Sequence, residues 1–216
     1  MYSVSARPGG LLFGVLGVVL AVVLLGLAGC SAGGEGDGSK PPKSAPPTPL
    51  TDFDTTGISF LRGEFCSLIP ESAAERAVDG PVARTTSYSN GERSLIAPDV
   101  HDVAHEFSCG YRSAGGTLAR AWVFAPPVGP GMAKRLVTMQ KKTKGCTTPP
   151  GAPPFGKPTV AIVCTAGGAR TATYSGLFVD AWLSCSLTAK GVPAKALLER
   201  AGEWCVAVVS SARTGG

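Results

Sequence analysis

The residues best suited by type to do chemistry lie in one short run, His101-Asp102-Val103-Ala104-His105-Glu106, which holds the only two histidines of the chain. On a helix, His101 and His105 would share a face and could ligate zinc, with Asp102 standing where zinc hydrolases of the His-Glu-x-x-His kind carry a glutamate base. The run follows Pro98, however, and leads directly into a strand pattern at Phe107. In extended chain the two imidazoles need not converge, and a zinc site would want a third ligand. A polar loop or strand entry is the expected state. An extracytoplasmic metal-dependent hydrolase using His101 and His105 is the runner-up function. Gly-x-Ser-x-Gly, a phosphate loop and a dinucleotide fingerprint are all missing from the sequence. Gly129-Pro130-Gly131 reads as a plain turn before a helix, because Pro130 removes one backbone donor from any anion site. No catalytic, cofactor-binding or metal-ligating residue is assigned, no cofactor is expected, and the weight falls against an enzyme.

A different chemistry is written at Cys30. Residues 8–34 carry no charge, Leu11 to Leu27 is almost purely aliphatic with a few glycines, and Arg7 supplies one positive charge ahead of it. A basic n-region, an apolar h-region and small residues before a cut are the parts of an export signal. Leu27-Ala28-Gly29-Cys30 matches a lipobox, in which the thiol takes a diacylglyceryl group and the signal is removed just before it. An uncleaved anchor of about 20 apolar residues is the plainer alternative, but the segment ends in Ala-Gly-Cys rather than in a cluster of charges. Either way, the remainder is expected beside a membrane on its extracytoplasmic side. Residues 1–29 are read as the lipoprotein signal peptide.

Six further cysteines follow: Cys66, Cys109, Cys146, Cys164, Cys185 and Cys205. An even number in an exported domain reads as a disulfide framework, here three bridges. No Cys-x-x-Cys occurs, which argues against a thioredoxin-type redox site or a zinc knuckle. Fifteen connectivities are possible. Pairing of sequence neighbours (66 with 109, 146 with 164, 185 with 205) is the preferred one, because each bridge would then tie a helix to a strand.

The elements around these residues follow from pattern. Residues 30–50 are the lipidated cysteine and a tether rich in Gly, Pro and Ser, too poor in apolar side chains to fold. Residues 51–216 are the exported domain. Pro70, Glu71 and Gly80 bound a short helix, and residues 84–98 read as a polar surface loop. Alternation over Glu106 to Ser113 and Thr117 to Ala125, joined through Ala114-Gly115-Gly116, gives a hairpin. Pro130 opens a second helix to about Lys142, and residues 147–158 form a proline-rich loop. Strands at Thr159 to Thr165 and Thr171 to Ser175 flank a second glycine hairpin, with a bend near Gly176 and a further strand at Ala181 to Thr188. The last helix, Pro193 to about Ser210, sets Leu197, Leu198, Ala201, Trp204, Cys205 and Val208 on one face. The expected fold is α+β: an antiparallel sheet with about three helices packed on one face. The two halves share too little sequence to claim a duplication.

Charge is divided along the chain. Residues 51–130 hold ten acids and six bases, a net of −4, whereas residues 131–216 hold three acids and eleven bases, a net of +8. Lys134, Arg135, Lys141, Lys142 and Lys144 are the densest basic cluster. Such a cluster could dock on anionic lipid or wall polymer, but it more often serves as a solvated helix face. Nucleic acid is not an expected partner. Trp122, Trp182 and Trp204 each fall inside a strand or helix pattern, which points to core packing rather than to a stacking platform.

The lipobox, the proline-rich tether, Cys66-Ser67-Leu68-Ile69-Pro70 opening a helix and Phe107-Ser108-Cys109-Gly110-Tyr111 as the next cysteine strand together resemble a family of small actinobacterial lipoproteins grouped as a domain of unknown function. Gly110 and Tyr111 depart from that family's usual Cys-Ser/Thr-Trp strand. The resemblance implies a cell-envelope protein and no known enzymatic activity. The expectation is therefore a lipid-anchored extracytoplasmic lipoprotein, a binding or envelope-assembly module, with the membrane as partner through Cys30. An envelope protein or an anionic polymer is a further candidate partner.

Overall fold

The structure, a computed structural model, describes residues 46–97 and 99–214. The signal segment, Cys30 and the tether as far as residue 45 lie outside the described residues. In chain order come β1 (Ser59–Phe60), α1 (Glu71–Val78), β2 (Val82–Tyr88), β3 (Arg93–Ala97), β4 (Val100–Val103), β5 (Glu106–Ser113) and β6 (Leu118–Phe124). Then follow α2 (Pro130–Lys141), β7 (Cys146–Thr147), β8 (Thr159–Ala166), β9 (Ala169–Phe178), β10 (Ala181–Lys190), α3 (Ala194–Ala212) and β11 (Arg213–Thr214). Seven strands form one antiparallel sheet in the order β2-β5-β6-β10-β9-β8-β7, while β1–β11 and β3–β4 are separate two-stranded ribbons. The class is α+β. No helix among the described residues is long and apolar enough to cross a membrane.

Side chains alternate between the two faces of the sheet. One face carries Cys109, Tyr111, Ala121, Val123, Leu183 and Leu187, and buries them against α1 and α3. The other carries Leu177 and Trp182, which pack under α2 through Val128, Ala133, Leu136 and Val137. The expectation of three helices on one face is thus corrected: α2 closes the opposite face. Periodicity gave α2 an apolar stripe but no direction, and the crossing from β6 inside the sheet to its edge at β7 can run over either side.

This arrangement also bears on duplication. Apart from the edge strand β7, the strand order is symmetric about the β6–β10 pair. A twofold axis relating antiparallel neighbours stands normal to the sheet and keeps each face on its own side. It would leave α1 and α2 on one face, which the packing contradicts.

Residues 84–98 are not a loop. Most of their first half is β2, an edge strand paired with β5, and Arg93–Ala97 is β3. The apolar alternation that marks half-buried strands is missing because β2 is mostly exposed, and polar residues such as Arg84, Thr85 and Thr86 suit a sheet edge. α1 ends with Asp79 in the left-handed region (φ 60°), one residue before the expected Gly80. Arg200 of α3 stabilises that end, donating to the Ala77 carbonyl at 3.0 Å and lying 3.7 Å from the Asp79 carboxylate.

Two disulfides are present, Cys66–Cys109 and Cys146–Cys164. Cys185 on β10 and Cys205 on α3 are free thiols, both fully buried between the sheet and the helix. This corrects the expectation of three bridges. An even count carries no information about burial, and inside a packed core a thiol serves as a small apolar group shielded from oxidant. Burial pushes the Cys205 thiol well above its usual range, and the neighbouring Cys185 adds to this.

Candidate functional site

The segment that follows β7 is the proline-rich run Thr147 to Pro153, and it does not collapse onto the sheet. Between it and α3 lies a cavity of about 770 Å³. Its floor is the sheet edge at Val163 and Tyr174, one wall is α3 at Leu198 and Gly202, and the other is the loop at Pro149, Pro150 and Pro153. Pro49, Leu50 and Thr51, where the chain enters the domain, complete the rim. Leu50 is buried and belongs to the core, so the folded domain begins at the last residue assigned to the tether. Gly202 is small for a reason: a Cβ there would stand 3.0 Å from Leu50 and 3.7 Å from the Tyr174 ring.

The loop is held away from the cavity floor by a single aromatic anchor. Phe155 is fully buried and meets Tyr174 and Phe178 edge-on, at 6.2 and 4.9 Å between ring centroids. Its backbone crosses β9 at Gly176, where the Phe155 carbonyl oxygen lies 1.5 Å from the place a Cβ would take. Residue 176 must therefore be glycine. The bend expected there is absent, and β9 runs through Gly176 to Phe178. Lys157 N–H donates to the Leu177 carbonyl, and Leu177 N–H donates to that of Pro158, fastening the loop's far end.

Tyr174 is the polar feature of this site. The residue is 1 % exposed and lines the cavity, and its hydroxyl is not sealed off, since the one buried side-chain polar atom without a partner among the described residues is Gln140 Oε1. Burial raises the phenol pKa well above its usual value, with Cys205 and then the Glu199 carboxylate adding to the effect. The charged groups at the rim are Lys195, Glu199 and Glu203, with Lys195 and Glu199 forming an exposed pair at 4.0 Å. Most of the lining is apolar, with threonines and the charged side chains as its other polar groups. It offers no nucleophile and no metal-ligating set.

A second cluster occupies the opposite face, beyond the reach of α2. The Tyr88 hydroxyl donates to Glu106, Arg120 reaches the Tyr88 oxygen at 3.5 Å, and the Arg120 guanidinium lies 5.5 Å from the centre of the Trp122 ring. Burial, then Glu106, lifts Tyr88 to about 12, and burial also raises Glu106. Trp122 is half-buried here rather than part of the core, since it shares Arg120's face, whereas Trp182 and Trp204 are buried as expected.

The sequence candidates fare differently. His101 lies on β4 and His105 just after it, both exposed, separated by extended chain instead of a helical turn. Among the described residues no three His, Cys, Asp or Glu side chains are grouped to hold a metal. Lys134, Arg135, Lys141, Lys142 and Lys144 are exposed on and just after α2, beside the exposed Met132 and Met139. The cavity itself was not foreseen. Its one sequence signal was Phe155, a lone aromatic inside a run of prolines. No protein-family model matches this sequence, and no curated protein is significantly similar to it.

Proposed function

We propose that this chain is a lipid-anchored extracytoplasmic binding protein of the cell envelope, held to the membrane through Cys30, and that the cavity between α3 and the proline-rich loop is its ligand site. The binding part of this reading rests on one observation: a preformed, largely apolar space of about 770 Å³ with Tyr174 in its wall. Small-molecule sites are typically clefts of roughly 300–1,000 Å³ with apolar walls and a few placed polar groups. The anchoring part rests on the signal anatomy and the lipobox at Leu27 to Cys30. The resemblance to small actinobacterial lipoproteins agrees with the anchoring part. No observation favours the hydrolase reading, because His101 on β4 and His105 just after it are exposed, and among the described residues no third ligand is grouped with them.

Two measurements test the proposal separately. Intact mass of the protein from its native membrane should begin at Cys30 and include a diacylglyceryl group; a mass retaining residues 1–29 would refute the anchor. For binding, the fluorescent apolar probe anilinonaphthalene sulfonate should be taken up at one site by the folded protein. Leu198→Trp, which fills the cavity from α3, should abolish uptake without lowering the melting temperature. Unchanged uptake in that variant would refute the site.

A further inference from the structure

We infer that the cavity takes a neutral single-chain amphiphile, a hydrocarbon chain ending in a hydroxyl or ester group, whose polar end hydrogen-bonds the Tyr174 hydroxyl beside Glu199 while the chain lies along Leu198, Val163 and the loop prolines. This rests on the binding reading above and adds the chemical class.

The walls specify the body of the ligand. Proline rings, Val163, Leu198 and the Tyr174 ring offer apolar surface and few donors or acceptors, so a sugar or a peptide would be stripped of water without compensation. A dry protein cavity of about 150 Å³ already accepts benzene, so a space of about 770 Å³ accommodates a chain of many carbons. The polar groups specify the head. Tyr174 brings a hydroxyl to the cavity lining, and a ligand's polar end can hydrogen-bond it in exchange for water. Three charged side chains line the mouth, one lysine and two glutamates. Lys195 and Glu199 form an exposed pair at 4.0 Å, so with Glu203 the rim carries one more acid than base. A fatty-acid anion placed there would face like charge. A hydroxyl can accept from Tyr174 and donate to Glu199, and an ester carbonyl can accept from Tyr174, both without charge repulsion. The position of the mouth suits such a ligand. Pro49 forms part of the rim and lies nineteen residues from Cys30, a length that cannot span more than about 65 Å. A domain anchored at Cys30 keeps its cavity within that distance of a bilayer.

The test uses the chain from residue 30 with Cys30→Ser, so that neither lipid nor detergent is carried in, and measures binding of 1-monolauroylglycerol, laurate and anilinonaphthalene sulfonate. Monolauroylglycerol should bind one to one, about tenfold or more tighter than laurate at pH 7, and should displace the fluorescent probe. Tyr174→Phe keeps the ring and should weaken monolauroylglycerol about five- to tenfold, several times more than it weakens the probe. Monomeric ligand and ligand presented in neutral vesicles distinguish uptake from solution and extraction from a membrane; either supports the class. Equal binding of laurate, or an unaffected Tyr174→Phe, would overturn it. If the probe binds and Leu198→Trp blocks it but no dodecyl amphiphile competes, the ligand class is wrong and the binding reading stands. If nothing binds, both fall.

Discussion

The two faces of the main sheet are made by the same strands and closed in opposite ways. On the α1/α3 face, the row Cys109, Ala121, Cys185, Tyr174 and Ala161 runs straight across five strands and is buried throughout. Trp204 of α3 stands on this face, meeting Tyr111 edge-on and donating from its indole N–H to the Arg120 carbonyl at 2.9 Å. On the α2 face the matching row is Tyr88, Ser108, Trp122, Ser184 and Ser175, in which the Ser175 and Ser184 hydroxyls pair at 2.7 Å and the Tyr88 hydroxyl donates to Glu106. One face is a hydrophobic core. The other is a polar surface on which a single helix has been fastened. The contrast explains where the cavity can exist: the core face is rigid enough to hold α3 and the proline loop apart at its edge.

Truncating one tryptophan on each face gives the largest test of this difference. Trp204→Ala should cost about 4–5 kcal/mol, the upper part of the range for buried aromatics, since it removes a hydrogen bond and an edge contact as well as area. Trp182→Ala should cost nearer 3 kcal/mol, because α2 can settle into the space. Denaturant melts give the two values. Hydrogen exchange should show Trp182→Ala loosening α2 alone, whereas Trp204→Ala lowers protection across the sheet. Equal, global loosening in both would erase the distinction between the faces.

Each face also carries one disulfide. Cys66–Cys109 closes 43 residues on the core face, and Cys146–Cys164 closes 18 on the α2 face, where Cys164 shares a side with Ile162. On the chain-entropy account, replacing both cysteines by alanine should cost about 4 kcal/mol for the first bridge and about 3 kcal/mol for the second. Unfolded without reductant, the chain with Cys30→Ser should expose two reactive thiols, Cys185 and Cys205, and the folded protein none. No thiol after unfolding would overturn the two-bridge structure.

Legibility in the sequence follows the same division. β5, β6 and α3 were readable because each has one buried side, so period 2 or 3.6 is printed in Cys109-Gly110-Tyr111 or in Leu197, Ala201 and Trp204. β2 was not, because an edge strand exposed on most of its length has no apolar period to print. The face chosen by α2 is a property of chain crossing and leaves no trace in its residues. The cavity is harder still, for its parts come from residues 49–51, 147–153, 163, 174 and 194–203, and its depth depends on Phe155 lying over Gly176, two residues that looked like loop and bend.

The smallest effect concerns the polar half of the α2 face and is read from the pH dependence of stability. Glu106 holds its proton more tightly in the fold, chiefly because it is buried, against an ordinary value of 4.5. The folded state therefore binds more protons than the unfolded state between that value and the raised one. The stability that Glu106 contributes is complete below about 4.5 and is lost as pH rises through its raised value. Exposed Asp54, lowered by hydrogen bonds from Thr56, acts in the other sense and loses its contribution as pH falls. Glu106→Gln retains a carbonyl acceptor for the Tyr88 hydroxyl and removes the charge. It should leave stability at pH 7 within about 1 kcal/mol of wild type, on the favourable side, and flatten the decline between pH 4 and 7. Tyr88→Phe, by contrast, removes a hydrogen bond that favours ionised Glu106 and should steepen the decline in the acid range, while reducing the loss of stability between pH 10 and about 12, where unfolded tyrosine ionises before the buried phenol does. A Glu106→Gln protein with the wild-type acid profile would mean that this face is wetter than its side chains indicate, and that α2 alone, not the Tyr88–Glu106–Arg120 cluster, closes it.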